Sequence, residues 1–278
     1  MRSIHKSKTP INEVVRQASL FAEERQRSIL EQLNQQGKVT VEELTITFRV
    51  SPPTIRADLT RLESLGFLRR THGGAIAIGN TLYEPPYSER AIIRQMEKRA
   101  IAAAAASLVH EGETVLIDAG TTCHEIALAL KEFRRLTVVT NSIASAEALA
   151  ENGGIDTILI GGIVQPRRRA TLGALATSFL DQIQCDRAFV AMTGVHPEAG
   201  FTVIDFDAAQ IKRKMLEKSK QAIAVADSSK IGQIAFACVA PLSAAHLLIT
   251  DYGVTAEGRT EIEAAGLRVV TGEAKEPI

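Results

Sequence analysis

The chain has 278 residues, 45% of them hydrophobic, with 32 Lys+Arg balancing 32 Asp+Glu. That length predicts two domains, and that composition predicts an ordinary globular core. No apolar run reaches the length of a membrane span, the N-terminus lacks the apolar stretch of a secretory signal, and Cys123, Cys185 and Cys238 have neither metal nor disulfide spacing, so a cytoplasmic protein without membrane contact, metal or cofactor is expected.

The zero net charge hides a split. Residues 1–75 hold 12 Lys+Arg against 8 Asp+Glu, and the remainder holds 20 against 24. A basic head that meets phosphate on a mildly acidic body has this pattern. Residues 1–21 read as an N-terminal extension, and residues 22–77 as the head. Its first helix is predicted over 22–36, with Ile29, Leu30 and Leu33 on the apolar side and Gly37 ending it. A second opens at Thr40, which forms a capping box with Glu43, and Val41, Leu44 and Phe48 share its buried face. Arg49-Val50 is the turn, with Arg49 in the left-handed position that glycine usually takes.

The third helix starts with Ser51 as cap and Pro52 in the first helical position. Ile55, Leu59, Leu62 and Leu65 make its apolar stripe, and Gly66 closes it. The other face presents Thr54, Arg56 and Arg61. Two helices on a tight turn, the second amphipathic with arginines outward, are the layout of a helix-turn-helix that reads the major groove. Ser51, Thr54 and Arg56 are the leading contacts, because residues near the start of a recognition helix reach base edges and arginine grips guanine bidentately. Residues 67–76 then read as strand, glycine turn and strand, a wing whose Arg69, Arg70 and His72 face the DNA backbone or minor groove.

Residues 78–90 are the predicted linker, stiffened by Pro85 and Pro86, and 91–278 the body. A long Ala-rich helix is predicted over 88–109. Strand-like runs follow at 114–118, 136–140, 156–161, 187–192, 222–226, 246–250 and 267–271, separated by helical stretches. That alternation predicts an α/β domain with a mainly parallel sheet, whose ligands lie beyond the carboxyl ends of the strands. Those ends carry Asp118-Ala119-Gly120-Thr121-Thr122, Asn141-Ser142, Gly161-Gly162 and Asp227-Ser228-Ser229-Lys230, with Arg167-Arg168-Arg169 just past the third. Hydroxyls, amides and cations of this kind suit a phosphorylated polyol, with the phosphate at the helix start after Gly120. The predicted effector set is Asp118, Gly120, Thr121, Thr122, Asn141, Ser142, Gly161, Gly162, Arg169 and Lys230. No catalytic set is expected.

Val50, Ser51, Thr54, Ile55, Arg56, Asp58, Leu59, Leu62, Glu63, Gly66 and Gly73-Gly74-Ala75 together resemble the head of the DeoR family of bacterial transcriptional regulators. The resemblance runs from about residue 23 to nearly the end of the chain. It implies a winged helix-turn-helix joined to a sensor domain similar to ribose-phosphate isomerases and the coenzyme A transferase fold, in which the Asp118–Thr122, Thr140–Ser142, Gly161-Gly162 and Asp227–Lys230 segments line the effector site. Two departures stand out: Ala57 replaces a second arginine, and Ala208 replaces a glutamate before Lys212-Arg213. The implied function is a repressor of a carbohydrate operon, binding double-stranded operator DNA as a homo-oligomer, dimer or tetramer, and relieved by a phosphorylated sugar or sugar alcohol. The alternatives are a sugar-phosphate isomerase-like enzyme with a DNA-binding head, and an activator.

Overall fold

The computed structural model describes residues 22, 24–26, 28–30, 32–33, 36–64, 67–77 and 86–273. The expected extension, Leu65, Gly66 and residues 78–85 of the expected linker lie outside them. The chain divides into two compact units, residues 1–80 and 81–278.

In the first unit, the described helical residues between 22 and 36 form α1. Helix α2 (Val41–Phe48) starts behind Thr40, whose hydroxyl accepts from the Glu43 N–H while the Glu43 carboxylate accepts from the Thr40 N–H. This is the predicted capping box. Arg49 ends α2 in the left-handed conformation, φ 53°. From α3 (Pro52–Ser64), Ile55, Leu59 and Leu62 join Ile29, Leu33, Leu44 and Leu68 in one core. Each such buried side chain contributes about 1.5–3 kcal/mol. Inside the same unit Asp58 is buried, accepting from Arg25 Nε at 2.6 Å and Gln26 Nε2 at 2.8 Å; these bonds fasten α1 to α3.

The wing is β2 (Leu68–Thr71) and β3 (Gly74–Ala77), antiparallel as expected. A third strand, β1 (Lys38–Thr40), pairs with β3 and was not expected. Three residues are too few to show alternation. Gly74 permits the pairing, because a Cβ there would lie 2.0 Å from the Val39 carbonyl oxygen.

The second unit opens with α4 (Tyr87–Ile92) and α5 (Gln95–Ala106). The predicted linker therefore ends in a helix, and the single helix predicted over 88–109 is two. The break falls where Ile93 is extended and Arg94 left-handed, φ 51°. Buried Lys98 accounts for it: its ammonium donates to the carbonyl oxygens of Arg90 and Ile93, supplying the partners that the last turn of α4 lacks.

Seven strands form one parallel sheet: β4 (Thr114–Ile117), β5 (Leu136–Thr140), β6 (Ile155–Leu159), β9 (Cys185–Ala191), β12 (Ser219–Val225), β14 (Leu247–Asp251) and β15 (Val269–Gly272). Each predicted run supplies one of them. Their order is β15-β14-β12-β9-β4-β5-β6. Side chains alternate across the sheet: Val115 and Ile117 pack with Ile101 of α5 and Ile126 of α6 (Thr121–Ala129), while Leu116 packs with Leu180 of α8 (Ala174–Leu180) and Met215 of α9 (Phe206–Glu217). The result is an α/β/α sandwich, with α7 (Ile143–Ala150) beside α6 and α10 (Ala256–Ala264) between β14 and β15. Two small sheets were not expected, the hairpin β7 (Ile163–Gln165) with β8 (Ala170–Leu172), and β10 (Gly194–His196) with β11 (Gly200–Val203) and β13 (Ala237–Ala240). From β4 the chain first builds outward through β5 and β6, then crosses to β9 on the other side. The order reverses between β4 and β9, and crevices of this kind hold the ligands of open α/β sheets.

Candidate functional site

On the head, Ser51, Arg56, Arg61, Arg69, Arg70 and His72 are exposed and Thr54 is half-buried. The Ser51 and Thr54 hydroxyls meet at 2.9 Å at the start of α3. Arg56 and Thr60 follow on the same helical face, the Thr60 hydroxyl donating to the Arg56 carbonyl at 2.8 Å. The Arg70 guanidinium donates to Thr60 Oγ1 at 2.7 Å, and the Arg70 N–H donates to Glu63 Oε1 at 2.8 Å. Arg70 thus fastens the wing to α3 and keeps both cationic elements on one surface. Of the predicted contact residues, Arg70 and Arg56 are brought together there through Thr60. Thr60, which sequence reading passed over, shares their surface, and Asp58 from the family pattern is a core brace.

In the body, all seven carboxyl ends lie along one edge of the sheet. Asp118, after β4, is buried at the switch point. Its Oδ2 pairs with the buried Lys212 ammonium of α9 and accepts from the Ala191 N–H at 3.0 Å, while Lys212 also donates to the Ala191 carbonyl at 2.9 Å. This ion pair clamps the ends of β4 and β9 together, so Asp118 is already engaged and is not a spare base for acid–base chemistry. Asn141 is engaged too: its Oδ1 accepts from Ala119 N–H at 2.8 Å and its Nδ2 donates to the Thr171 carbonyl at 3.2 Å, joining the loop after β4 to β8. The Ser142 hydroxyl accepts from Ser145 N–H and caps α7.

Gly120, Thr121, Thr122, Gly161, Gly162 and Arg169 stand at a rim beyond the ends of β4 and β6, and Lys230 lies after β12. Gly120, φ 148°, begins α6 with no side-chain cap, and Thr121 and Thr122 are buried in its first turn. A Cβ at Gly120 would lie 3.5 Å from Ala191 Cβ, across the switch point. Gly161 faces open space, whereas at Gly162, φ 152°, a Cβ would lie 2.6 Å from the Leu172 carbonyl oxygen. Arg169, φ 50°, sits at the tip of the β7–β8 hairpin; its carbonyl accepts from Ile143 N–H at 2.9 Å. Its guanidinium pairs with exposed Glu147 at 2.8 Å and lies 5.7 Å from the Tyr87 ring centroid. Lys230 belongs to a separate cationic group after β12. There burial would raise the Asp227 pKa, but Lys230, Ser229 and Arg94 outweigh it and hold the carboxyl below its usual value. Burial pushes the Lys98 ammonium down to about 8, against the opposing charge of Asp227.

Sequence reading missed Tyr87, Lys98 and Arg94 because it assigned residues 78–90 to a linker and ran one helix through the break, and it passed over His124 two residues beyond the Thr121-Thr122 motif. Lys212 was noted only as a residue retained beside the Ala208 departure, not as the partner of Asp118.

With the geometry in place, the comparisons are decisive. Residues 25–81 match the DeoR-like helix-turn-helix domain and residues 93–252 the DeoR C-terminal sensor domain. The chain belongs to the DeoR family. Among its relatives are the uncharacterized HTH-type transcriptional regulator FruR of Bacillus subtilis, 36% identical over 84% of this chain and 92% of that one, and the HTH-type transcriptional regulator GlpR of Haloferax volcanii, 36% identical over 91% and 98%. The HTH-type transcriptional repressor GlcR of Bacillus subtilis is 37% identical over 84% and 89%. This DeoR-family chain is a DNA-binding transcriptional regulator with a sensor domain, and its relatives are named as regulators rather than enzymes. A solved ribose 5-phosphate isomerase from Methanocaldococcus jannaschii overlaps 48% of this chain and 52% of that one, with 16% identity and a TM-score of 0.35. Among the described residues no helix is long and apolar enough to cross a membrane.

Proposed function

We propose that this regulator represses a carbohydrate-utilisation operon and leaves its operator when a phosphorylated sugar or sugar alcohol fills the rim at the start of α6. The observation that carries the reading is that helix start. Gly120 brings no capping side chain and Thr121 and Thr122 are buried there, so the first-turn N–H groups are available to an anion, which the helix dipole favours. Arg169 supplies a cation whose partner Glu147 is solvent-exposed, and a surface pair of that kind is worth little and is readily exchanged for phosphate. Asp118, Asn141 and Ser142 hold the loops in place, while Gly120, Thr121, Thr122, Gly161, Gly162, Arg169 and Lys230 meet the ligand. The name of GlcR supports repression as the direction of control.

DNA contact is assigned to Ser51, Thr54, Arg56, Arg61, Arg69, Arg70 and His72. A homo-oligomer supplies the paired heads that a repeated operator needs. Its support is the apolar row of Ile158, Leu159, Ile163, Val164 and Leu175, exposed on the edge strand β6 and the segment after it, a surface expected to be covered by another chain.

Gel-shift titration tests the reading. The purified chain should retard DNA flanking its gene, and one sugar phosphate should release it. Thr121→Val should keep the retarded complex and lose the release. No complex under any condition, or normal release in Thr121→Val, overturns the proposal.

A further inference from the structure

Beside the rim stand two polar atoms that the protein leaves unused. Tyr87, the first residue of α4, is buried, and its hydroxyl has no hydrogen-bond partner among the described residues. His124, one turn into α6, is half-buried with its Nδ1 equally unpaired. The two rings meet edge to face with centroids 6.1 Å apart. The Arg169 guanidinium lies over the Tyr87 ring at 5.7 Å, and the Tyr87 N–H donates to the Arg167 carbonyl at 2.8 Å, so the hairpin holds the ring in place.

A buried polar atom without a partner costs about 1–3 kcal/mol, and two on a pair of touching rings call for an explanation. Burial pushes Tyr87 up to about 12 and lowers His124. Both are therefore neutral at pH 7, a phenol donor beside an imidazole nitrogen with one donor or acceptor role to fill. A sugar hydroxyl, with one donor and two acceptor sites, complements that pair better than a second anionic group.

We propose that Tyr87 and His124 read a hydroxyl of the sugar moiety, which makes Tyr87 a specificity-determining residue of the effector site. The inference rests on the effector-site reading above and adds the part of the ligand that is not phosphate. It also gives α4 a purpose that a linker lacks. The first described helix after the head carries a ligand contact, so the occupied site holds the segment from which the chain returns to the DNA-binding unit.

Tyr87→Phe in the full chain isolates the hydroxyl, because the ring, its contact with His124 and its place under Arg169 remain. Calorimetric titration uses inorganic phosphate alone and, separately, fructose 1-phosphate, glucose 6-phosphate, ribose 5-phosphate and glycerol 3-phosphate. The wild type should bind at least one sugar phosphate more tightly than phosphate. Tyr87→Phe should lose about tenfold of that affinity, the worth of one hydrogen bond, and keep its affinity for phosphate. Its ligand-free Tm should not fall. Unchanged sugar-phosphate affinity in the variant overturns the inference and leaves the anion site standing. A clear drop in ligand-free Tm overturns it as well, by giving the hydroxyl a structural role. A wild type that binds none of the probes overturns the effector-site reading and this inference with it.

Discussion

The two candidate sites differ in where their chemistry points. On the head the arginines of α3 and the wing are exposed, and the buried charge, Asp58, braces the core behind them. In the body the motif residues turn inward: Asp118 is tied to Lys212 and Ala191, Asn141 to Ala119 and Thr171, and Ser142 to Ser145. A surface that meets a polyanion consists of the groups that touch it. A pocket needs a supporting layer first, and here the most distinctive polar residues provide that layer. On the function proposed above, ligand contact would fall to glycine backbone, a helix start and cations at the rim.

Two ion pairs with a buried carboxylate, Asp118–Lys212 and Asp58–Arg25, offer the largest test of this contrast. Lys212→Met leaves Asp118 charged, buried and without its ammonium, so the second unit should lose about 3–5 kcal/mol. Denaturant unfolding followed by amide exchange in the sheet would show it, and a loss below about 1 kcal/mol would mean that the clamp between β4 and β9 is not needed. Asp58→Ala should cost the head less, about 1–3 kcal/mol, because the Arg25 side chain keeps a solvent-facing edge and Gln26 is neutral. Exchange rates of the head amides measure this. If Asp58→Ala proves the costlier change, the head rather than the body depends on inward chemistry, and the contrast is reversed.

What the sequence disclosed follows the same division. The capping box at Thr40 and Glu43, the left-handed Arg49 and the stripe of Ile55, Leu59 and Leu62 are local, and each could be read from spacing alone. All seven strands of the parallel sheet were visible as apolar, β-rich runs. The small sheets were not, since strands of three or four residues have no period to detect and depend on partners far along the chain, as Gly74 shows against Val39. The polar motifs at the strand ends were legible, but which of them the fold ties up internally was hidden. That depends on partners up to 94 residues away, as Lys212 is for Asp118. The break at Arg94 was concealed by an alanine-rich stretch whose propensity favours one continuous helix. A single buried lysine overrides that preference.

The next prediction separates the two sites functionally. Arg56→Ala should weaken operator binding by about 1–3 kcal/mol, the worth of a bidentate base contact, with the effector affinity of the DNA-free protein unchanged. A loss that is equal on operator and unrelated DNA would make Arg56 a phosphate contact instead. A changed effector affinity without DNA would show that Arg56 acts on the sensor unit as well.

The smallest effect is a pH slope from Lys98, which sits between the carbonyl oxygens that end α4 and near Asp227, Lys230, Arg90 and Glu125. In the unfolded chain its ammonium holds the proton up to the ordinary 10.5, whereas burial lowers it to about 8 in the folded protein. The unfolded state therefore binds more protons between pH 8 and 10.5, and stability should rise with pH across that interval. Burial of Cys185 works in the opposite direction, raising its thiol from 9.0 to about 11, so stability from that group fades above pH 9. The interval from pH 8 to 9 isolates the lysine. There the denaturant midpoint of the second unit should climb in the wild type and stay flat in Lys98→Met. Coincident slopes would show that the carbonyl oxygens of Arg90 and Ile93 hold the ammonium charged despite its burial, which would make the break before α5 a permanent feature of the fold rather than a pH-sensitive one.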